Sequence, residues 1–175
     1  MSRLGAKRDL IQHVVLKAVD RADAPAILVE QVMTAQPTCI RSDASVLELA
    51  KILHTKGHRH LLVIDEDDLF VGVISDRDIV RCFGPGEYPQ PETLAGISAA
   101  EIMSTDLITV LPSMPLREAV VLMMENGISC LPVVASGALV GILTTTDLFI
   151  ALELLLGSLE RSTEAEPLMA EARSR

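Results

Sequence analysis

The sequence carries one pattern twice, first as Gly72-Val73-Ile74-Ser75-Asp76-Arg77-Asp78 and again as Gly141-Ile142-Leu143-Thr144-Thr145-Thr146-Asp147. Each copy is a short apolar strand that passes through a hydroxyl residue into a helix, with an aspartate three positions after the hydroxyl. Such a junction directs backbone N–H groups, a hydroxyl and a carboxylate to one place, which suits a phosphate and a ribose. Two such junctions predict a pair of similar ligand sites.

The repeat extends well beyond these two stretches. Met33 corresponds to Met103 at a spacing of 70 residues, and after one deletion Ser75 corresponds to Thr144 at a spacing of 69. Further pairs at the longer spacing are Val46 with Leu116, Ala50 with Val120, Gly57 with Gly127, Leu61 with Leu131 and Val63 with Val133. A register held this long predicts a duplicated structural unit.

Each copy predicts the order strand, helix, strand, strand, helix, so the fold class is α/β (α+β) with two repeats. Predicted strands cover 38–40, 60–64 and 69–74 in the first copy, and 108–110, 130–134 and 139–143 in the second. The central helices should end at Gly57 and Gly127 in left-handed conformations, and the last helices should begin at Asp76 and Thr145. A three-stranded sheet cannot cover its own apolar face, so the two sheets should pack together about a pseudo-twofold axis.

Breaker residues and composition divide the chain into five predicted segments. They are a basic amphipathic helical arm at 1–29, a first repeat at 30–83, a linker at 84–97, a second repeat at 98–157 and a polar tail at 158–175. Ala24 and Pro25 should interrupt the arm, and the run from Gly84 to Pro91 should be exposed. The last helix can extend through Leu159, and residues 161–175 should fray.

Composition argues against several functional classes. The net charge of −9 and the 2% aromatic content disfavour binding to nucleic acid. No apolar run reaches the roughly 18 residues of a membrane span. Three dispersed cysteines indicate neither a disulfide framework nor a zinc site, which favours the cytoplasm. No nucleophile-and-base motif is present, so catalysis is disfavoured, and Gly57 separates His54 from His58, which disfavours a metal site.

The repeated unit resembles the cystathionine β-synthase-type (CBS) domain, present as a tandem pair. The resemblance rests on the leading Val32-Met33-Thr34 and Ile102-Met103-Ser104, on the apolar strands, and on the final glycine-to-aspartate pattern of each copy. It covers roughly residues 30–155. This family implies adenine nucleotides or related adenosyl ligands in two clefts between the repeats, with no catalytic cofactor.

The resemblance implies a role for each matching residue. Ser75 or Thr144 would meet phosphate, and Asp78 or Asp147 would accept hydrogen bonds from the ribose hydroxyls. Thr38 would lie near the Thr144/Asp147 site and Ile108 near the Ser75/Asp78 site. The full set of predicted ligand contacts is Thr38, Arg59, His60, Val73, Ser75, Arg77, Asp78, Ile108, Cys130, Ile142, Thr144 and Asp147.

Elementary chemistry supports these roles and also offers a structural alternative. A vicinal diol is a double donor that an ionised aspartate matches, and Val73, Ile74, Ile142 and Leu143 could form apolar slots for adenine. The same aspartates could instead serve only to stabilise the start of a helix.

The two predicted sites differ in charge. Arg59 and Arg77 correspond to Ser129 and Thr146 in the second copy, so only the first site has nearby arginines. We therefore expect the Ser75/Asp78 site to prefer the more phosphorylated ligand, or to be the only site that a nucleotide occupies.

The sequence thus favours a regulatory module that binds AMP, ADP or ATP, with NAD or S-adenosylmethionine as further candidates. The dense leucines near residues 152–156 favour a homodimer contact. The alternative is a ligand-independent structural or adaptor dimer that holds a partner protein. An enzyme acting on a nucleotide is the weakest of the three interpretations.

Overall fold

The structure of this chain, a computed structural model, describes the backbone of residues 3–19, 26–83, 88 and 90–172, and the side chains of residues 7–16, 26–83, 88 and 90–160. The chain divides into two compact units. One comprises residues up to 34 together with 110–131 and 143 onward, and is here called the helical unit. The other comprises residues 35–109 and 132–142, and is here called the sheet unit.

The described elements alternate between helix and strand. The strands are β1 (Thr34–Ala35), β2 (Cys39–Arg41), β3 (His60–Ile64), β4 (Phe70–Ser75), β5 (Cys130–Ala135) and β6 (Ala138–Thr144). The helices are α1 (Arg3–Val19), α2 (Val46–Lys56), α3 (Asp76–Arg81), α4 (Pro91–Ala95), α5 (Ala99–Ile102), α6 (Leu116–Asn126) and α7 (Thr145–Ala172), with a 3₁₀ turn at Val29–Gln31. None of the described helices is both long and apolar enough to cross a membrane.

The first repeat forms a three-stranded sheet in the order β2-β3-β4. Strand β2 is parallel to β3, and β3 is antiparallel to β4, with His60 opposite Ser75 and Leu61 opposite Ile74. Leu61, Val63 and Ile74 are buried because alternate side chains of these strands point to the face that α2 covers. The register therefore brings His60 to the level of the strand end where α3 begins.

Helix α2 is fixed at both ends by local chemistry. Ser45 caps its start by accepting a 3.3 Å hydrogen bond from the backbone N–H of Glu48, and Gly57 ends it with a φ of 62°. Its buried face carries Val46, Leu49 and Leu53 in the core of the sheet unit. Helix α6 ends in the same way at Gly127, also with a φ of 62°.

The first residues of the second repeat pair with the last strand of the first. The backbone of Ser104 exchanges two hydrogen bonds with Val73 of β4, at 2.9 and 3.1 Å. The N–H of Ala99 donates to the carbonyl of Ala44 at 2.8 Å. The Met103 side chain crosses Gly72, where a Cβ atom would lie 2.4 Å from its sulfur. Glycine at position 72 is thus favoured by close packing rather than by an unusual backbone angle.

The helical unit contains α1, the 3₁₀ turn, α6 and α7. Helix α1 packs against α7 and against the 3₁₀ turn. Ile11 and Val15 lie four residues apart on the buried face of α1 and are fully inaccessible to solvent. On α7 the buried positions include Ile150 and Leu154. A second three-stranded sheet has the order β1-β6-β5.

The predicted fold class is confirmed, and several elements match their predicted positions. The strand 60–64, the helix starts at Asp76 and Thr145, and the left-handed glycines are as expected. The strand predicted at 108–110 is wrong, because Ile108 and Thr109 belong to no strand and the third strand of the second sheet is β1. The last helix is longer than expected and reaches Ala172. Ala24, Pro25 and most of the run 84–91 lie outside the described residues.

Replacing Gly72 with alanine should destabilise the protein, because the new methyl group overlaps the Met103 side chain. We expect a loss of about 1–3 kcal/mol in the free energy of unfolding, measured by urea denaturation. The loss caused by Gly72→Ala should be smaller when it is measured in a protein that already carries Met103→Ala. Gly96→Ala is the matched control, since its Cβ would make only ordinary contacts at 3.6 Å or more. Equal stability of the two single variants would contradict this packing.

Candidate functional site

The first strand-helix junction is built on a reciprocal contact between Ser75 and Asp78. Ser75 ends β4 and is the N-cap of α3. The Oδ2 atom of Asp78 accepts one hydrogen bond from the Ser75 backbone N–H and another from its Oγ, both 2.7 Å long. The capping role that the sequence left open is therefore real, and it holds the hydroxyl and the carboxylate side by side.

The other oxygen of Asp78 is less engaged. Its Oδ1 atom has Arg81 Nη1 at 3.4 Å, a long contact from a side chain that is 79% exposed. The Asp78 side chain itself is 15% exposed. One carboxylate oxygen is thus committed to the cap, whereas the other lies near solvent with a weak partner.

Two arginines lie beside this junction, as the sequence indicated. Arg59 Nε lies 3.3 Å from Asp76 Oδ2, and both side chains are about half exposed. The Arg59 carbonyl also accepts a 3.0 Å hydrogen bond from the Asp76 N–H. Arg77 is exposed. The junction therefore carries cations that solvent can reach and that a small anion could recruit.

His60 lies opposite Ser75 in the sheet and is half-buried. Burial lowers the pKa of its imidazole below the usual 6.5. Asp76 and Asp78 act to raise this pKa, while Arg59 and Arg77 act to lower it further. Loss of hydration is the largest of these effects, so His60 favours its neutral form in the folded protein.

The second junction repeats the cap but differs around it. Asp147 Oδ2 accepts hydrogen bonds from the Thr144 N–H at 2.7 Å and from Thr144 Oγ1 at 2.9 Å. Asp147 Oδ1 forms a salt bridge with Lys7 of α1, and the Lys7 ammonium also donates to Thr34 Oγ1. The Asp147 side chain is only 3% exposed. Both oxygens of this carboxylate are therefore committed.

Lys7 is a site residue that the sequence does not indicate, since it lies 140 positions before Asp147. The sequence marks the arm as basic, but a single lysine on a helix carries no signal for a partner so far along the chain. The positive charge that the second copy lacks at Ser129 and Thr146 is supplied from outside the repeat.

The remaining predicted residues occupy varied surroundings. Thr38 Oγ1 is hydrogen-bonded to His58 Nε2 at 3.2 Å within the sheet unit. Ile108 and Val73 are half-buried, and both polar backbone atoms of Val73 are used by Ser104. Cys130 and Ile142 are buried, as are Ile74 and Leu143. The structure brings Arg59, His60, Arg77 and Asp78 together around Ser75.

The histidines near residue 57 do not gather metal ligands. His54 is exposed, and His58 is hydrogen-bonded to Thr38. Within the part of the chain that the structure describes, no group of three or more histidine, cysteine, aspartate or glutamate residues could hold a metal ion.

Comparison with known proteins identifies both repeats. The family model for the CBS domain matches residues 29–84 and 99–154. The chain is 32% identical to the protein MK0525 of Methanopyrus kandleri over 131 residues, which is 74% of this chain and 62% of that protein. Several other curated relatives carry enzyme names, and the chain spans only 22% to 27% of their lengths.

Solved structures share the fold. The CBS domain pair of protein MJ0100, in complex with 5′-methylthioadenosine and S-adenosyl-L-methionine, is 30% identical with a TM-score of 0.61. That match covers 71% of this chain and 94% of the solved one. The protein CBSX2, in complex with AMP, is 26% identical with a TM-score of 0.59, over 73% of this chain and 98% of the other.

The lowered pKa of His60 predicts a stability loss in mild acid. Folding favours the neutral imidazole of His60. Its contribution to the free energy of unfolding is therefore fully present above the unfolded-state pKa of about 6.5, and it is lost as the pH falls toward the lower pKa of the folded state. Thermal melts at pH 7.5 and 5.5 should show a smaller drop in Tm for His60→Gln than for the unsubstituted protein. His54→Gln, at an exposed position, is the control. An equal drop in the His60→Gln protein would refute this expectation.

Proposed function

The chain belongs to the CBS domain family, and on that premise we propose that it is a regulatory module that senses an adenine nucleotide or a related adenosyl ligand. The observation that carries the proposal is the pairing of a hydroxyl with an aspartate at the matching junction of both repeats. The adenosyl ligands bound by the two solved relatives support this ligand class. In this proposal the protein binds its ligand and does not transform it.

At the first junction, the less engaged oxygen of Asp78 is the proposed acceptor for the ribose. Its contact with Arg81 is long and exposed, so exchanging it for two hydroxyl donors costs little and gains charge-assisted hydrogen bonds. The cap keeps Asp78 Oδ2 bound to the Ser75 N–H, which fixes the carboxylate orientation. The Ser75 hydroxyl can turn from Asp78 to donate to a phosphate oxygen.

Charge favours a phosphorylated ligand at this junction. Arg59 and Arg77 both lie beside Ser75, and the ion pair of Arg59 with Asp76 is exposed and long. Surface pairs of this kind contribute little to stability, so Arg59 can be recruited by phosphate at low cost. We therefore propose that this site binds ADP or ATP more tightly than AMP.

The exposed face of α7 supports the proposed homodimer. Phe149, Leu152, Leu156 and Leu159 recur at intervals of three and four residues and are all exposed. The opposite face of the same helix carries buried residues, including Ala151 and Leu154. A large apolar stripe on a helix is typical of a protein contact. Ligand-dependent regulation of a partner would follow if the ligand favoured one arrangement of such a dimer.

Isothermal titration calorimetry with AMP, ADP, ATP, NAD, 5′-methylthioadenosine and S-adenosylmethionine tests ligand binding. We expect saturable binding of at least one of these compounds, and Asp78→Asn should weaken binding at its site about tenfold or more, because the charged acceptor is lost. Asparagine is similar in shape, so the cap can survive.

Asp68→Asn is the matched control for this titration, since it removes the same charge from an exposed turn where Asp68 pairs with Arg41. Binding in this variant should equal that of the unsubstituted protein. The absence of heat and of any melting shift with all six compounds would overturn the proposed function.

Light scattering after size-exclusion chromatography tests the dimer. The unsubstituted chain should elute as a dimer, and the double variant Leu152→Glu with Leu156→Glu should be monomeric, because charges would be buried without partners. Leu69→Glu, which changes an exposed leucine in the sheet unit, should remain dimeric. A dimer that survives both α7 substitutions would exclude this face as the contact.

A further inference from the structure

We propose that helix α1 closes the Asp147 site, with the Lys7 ammonium occupying the carboxylate oxygen that a ribose would need. An adenosyl ligand would then enter this site only when α1 releases Asp147. This inference rests on the proposed function and makes the two junctions unequal: the Asp78 site is open, and the Asp147 site is self-occupied.

Both oxygens of the Asp147 carboxylate are occupied. Its Oδ2 is committed to the Thr144 cap through hydrogen bonds of 2.7 and 2.9 Å. Its Oδ1 is committed to Lys7, and the same ammonium is also held by Thr34 Oγ1. With the side chain 3% exposed, a diol cannot reach either oxygen while Lys7 is in place.

The first repeat differs, because its aspartate keeps one oxygen with only a weak partner. Asp78 makes the same cap, yet its Oδ1 atom has only a 3.4 Å contact with an exposed arginine. Its side chain is five times as exposed, 15% against 3% for Asp147. The two copies share the local motif, and what differs is the partner of the second oxygen: Lys7 of α1 at Asp147 and the exposed Arg81 at Asp78.

Lys7 belongs to a docked helix rather than to a loose arm. Ile11 and Val15 of α1 are fully buried, and α1 packs against α7, the helix that carries Asp147. Six residues further along α7, Glu153 accepts hydrogen bonds of 2.8 Å from Arg8. Apolar burial of α1 therefore holds the ammonium in the site, whereas the Arg8–Glu153 pair is about half exposed and contributes little.

Opening the site exchanges partners without any covalent step. The Asp147 Oδ1 atom would give up an ammonium donor and accept hydroxyl donors from the ligand, and α1 would carry Lys7 away. The apparent affinity for the ligand is then the intrinsic affinity multiplied by the fraction of molecules in which α1 is released, so a small fraction weakens binding. Ligand binding at this site would in turn free the N-terminal helix, and that release is a signal that a partner could read.

The same lysine could in principle act in the opposite way, by binding the ligand phosphate. Its contacts favour the competitor role, because the ammonium is bonded to the carboxylate itself and to Thr34. Removing the charge of Lys7 distinguishes the two roles. If Lys7 competes with the ligand, its removal strengthens ligand binding; if Lys7 binds the ligand phosphate, its removal weakens ligand binding.

The test is a calorimetric titration of the full chain with AMP, ATP and S-adenosylmethionine in two backgrounds. One background is the natural sequence, and the other carries Asp78→Asn to isolate the second site. In each, Lys7→Met keeps the length of the side chain but removes its charge. Arg8→Met is the matched control, because it removes the same charge from the next residue of α1 and its partner is the exposed Glu153.

We expect Lys7→Met to strengthen binding at the second site about fivefold or more, or to reveal a binding event that the unsubstituted site lacks. Arg8→Met should leave Asp147-site binding close to that of its parent. Hydrogen exchange provides a second measurement that does not depend on the substitution. With Lys7 present, saturating the second site should speed the exchange of α1 amides.

Weaker or unchanged second-site affinity in the Lys7→Met protein would overturn the inference, as would ligand binding there with α1 still protected. If the natural chain binds a ligand that Asp78→Asn abolishes, and Lys7→Met adds nothing, the proposed function stands and this inference fails. If no variant binds any of the three compounds at either site, the inference is overturned and the proposed function fails for these ligands.

Discussion

One carboxylate oxygen at each strand-helix junction accepts hydrogen bonds from both the backbone N–H and the hydroxyl of the residue that ends the strand. Asp78 does so for Ser75, and Asp147 does so for Thr144. This contact starts the helix and also fixes the orientation of the acid, so the cap leaves the second carboxylate oxygen available for a further partner. The second oxygen of each carboxylate is not used by the cap. Its present partner determines whether another hydrogen-bond donor can reach it.

The surroundings of that second oxygen differ because burial changes the strength of a charge-charge contact. Near Asp78 the cations are exposed, and water weakens their hold, which leaves them free to rearrange. Around Asp147 water is largely excluded, and Lys7 neutralises a carboxylate that would otherwise be costly to bury. A duplicated motif thus keeps its local geometry while the environment gives the two carboxylates different partners and different exposure.

The sequence predicted those features that short-range chemistry controls. Gly57 and Gly127 end helices because few other residues adopt a φ of 62° readily, and the apolar faces of α2 and β3 follow from their periods. The strand expected at 108–110 is reduced to a single bridge residue, Val110, because β-propensity alone does not decide whether a neighbouring strand pairs with a segment. The extension of α7 to Ala172 could have been found, since glutamate and alanine in the tail favour helix. Lys7 could not, because only the folded chain brings it to Asp147.

The exchange of hydrogen bonds between Ser104 and Val73 ties the start of one repeat to the last strand of the other. In a first repeat expressed alone, the edge of β4 would lack its hydrogen-bond partner Ser104, and Gly72 would lack the packing of the Met103 side chain. Such a fragment could regain both only from another molecule, in an exchanged dimer. An ancestral one-repeat protein would have faced the same demand, so duplication within one polypeptide would have turned an association between chains into a permanent, concentration-independent one.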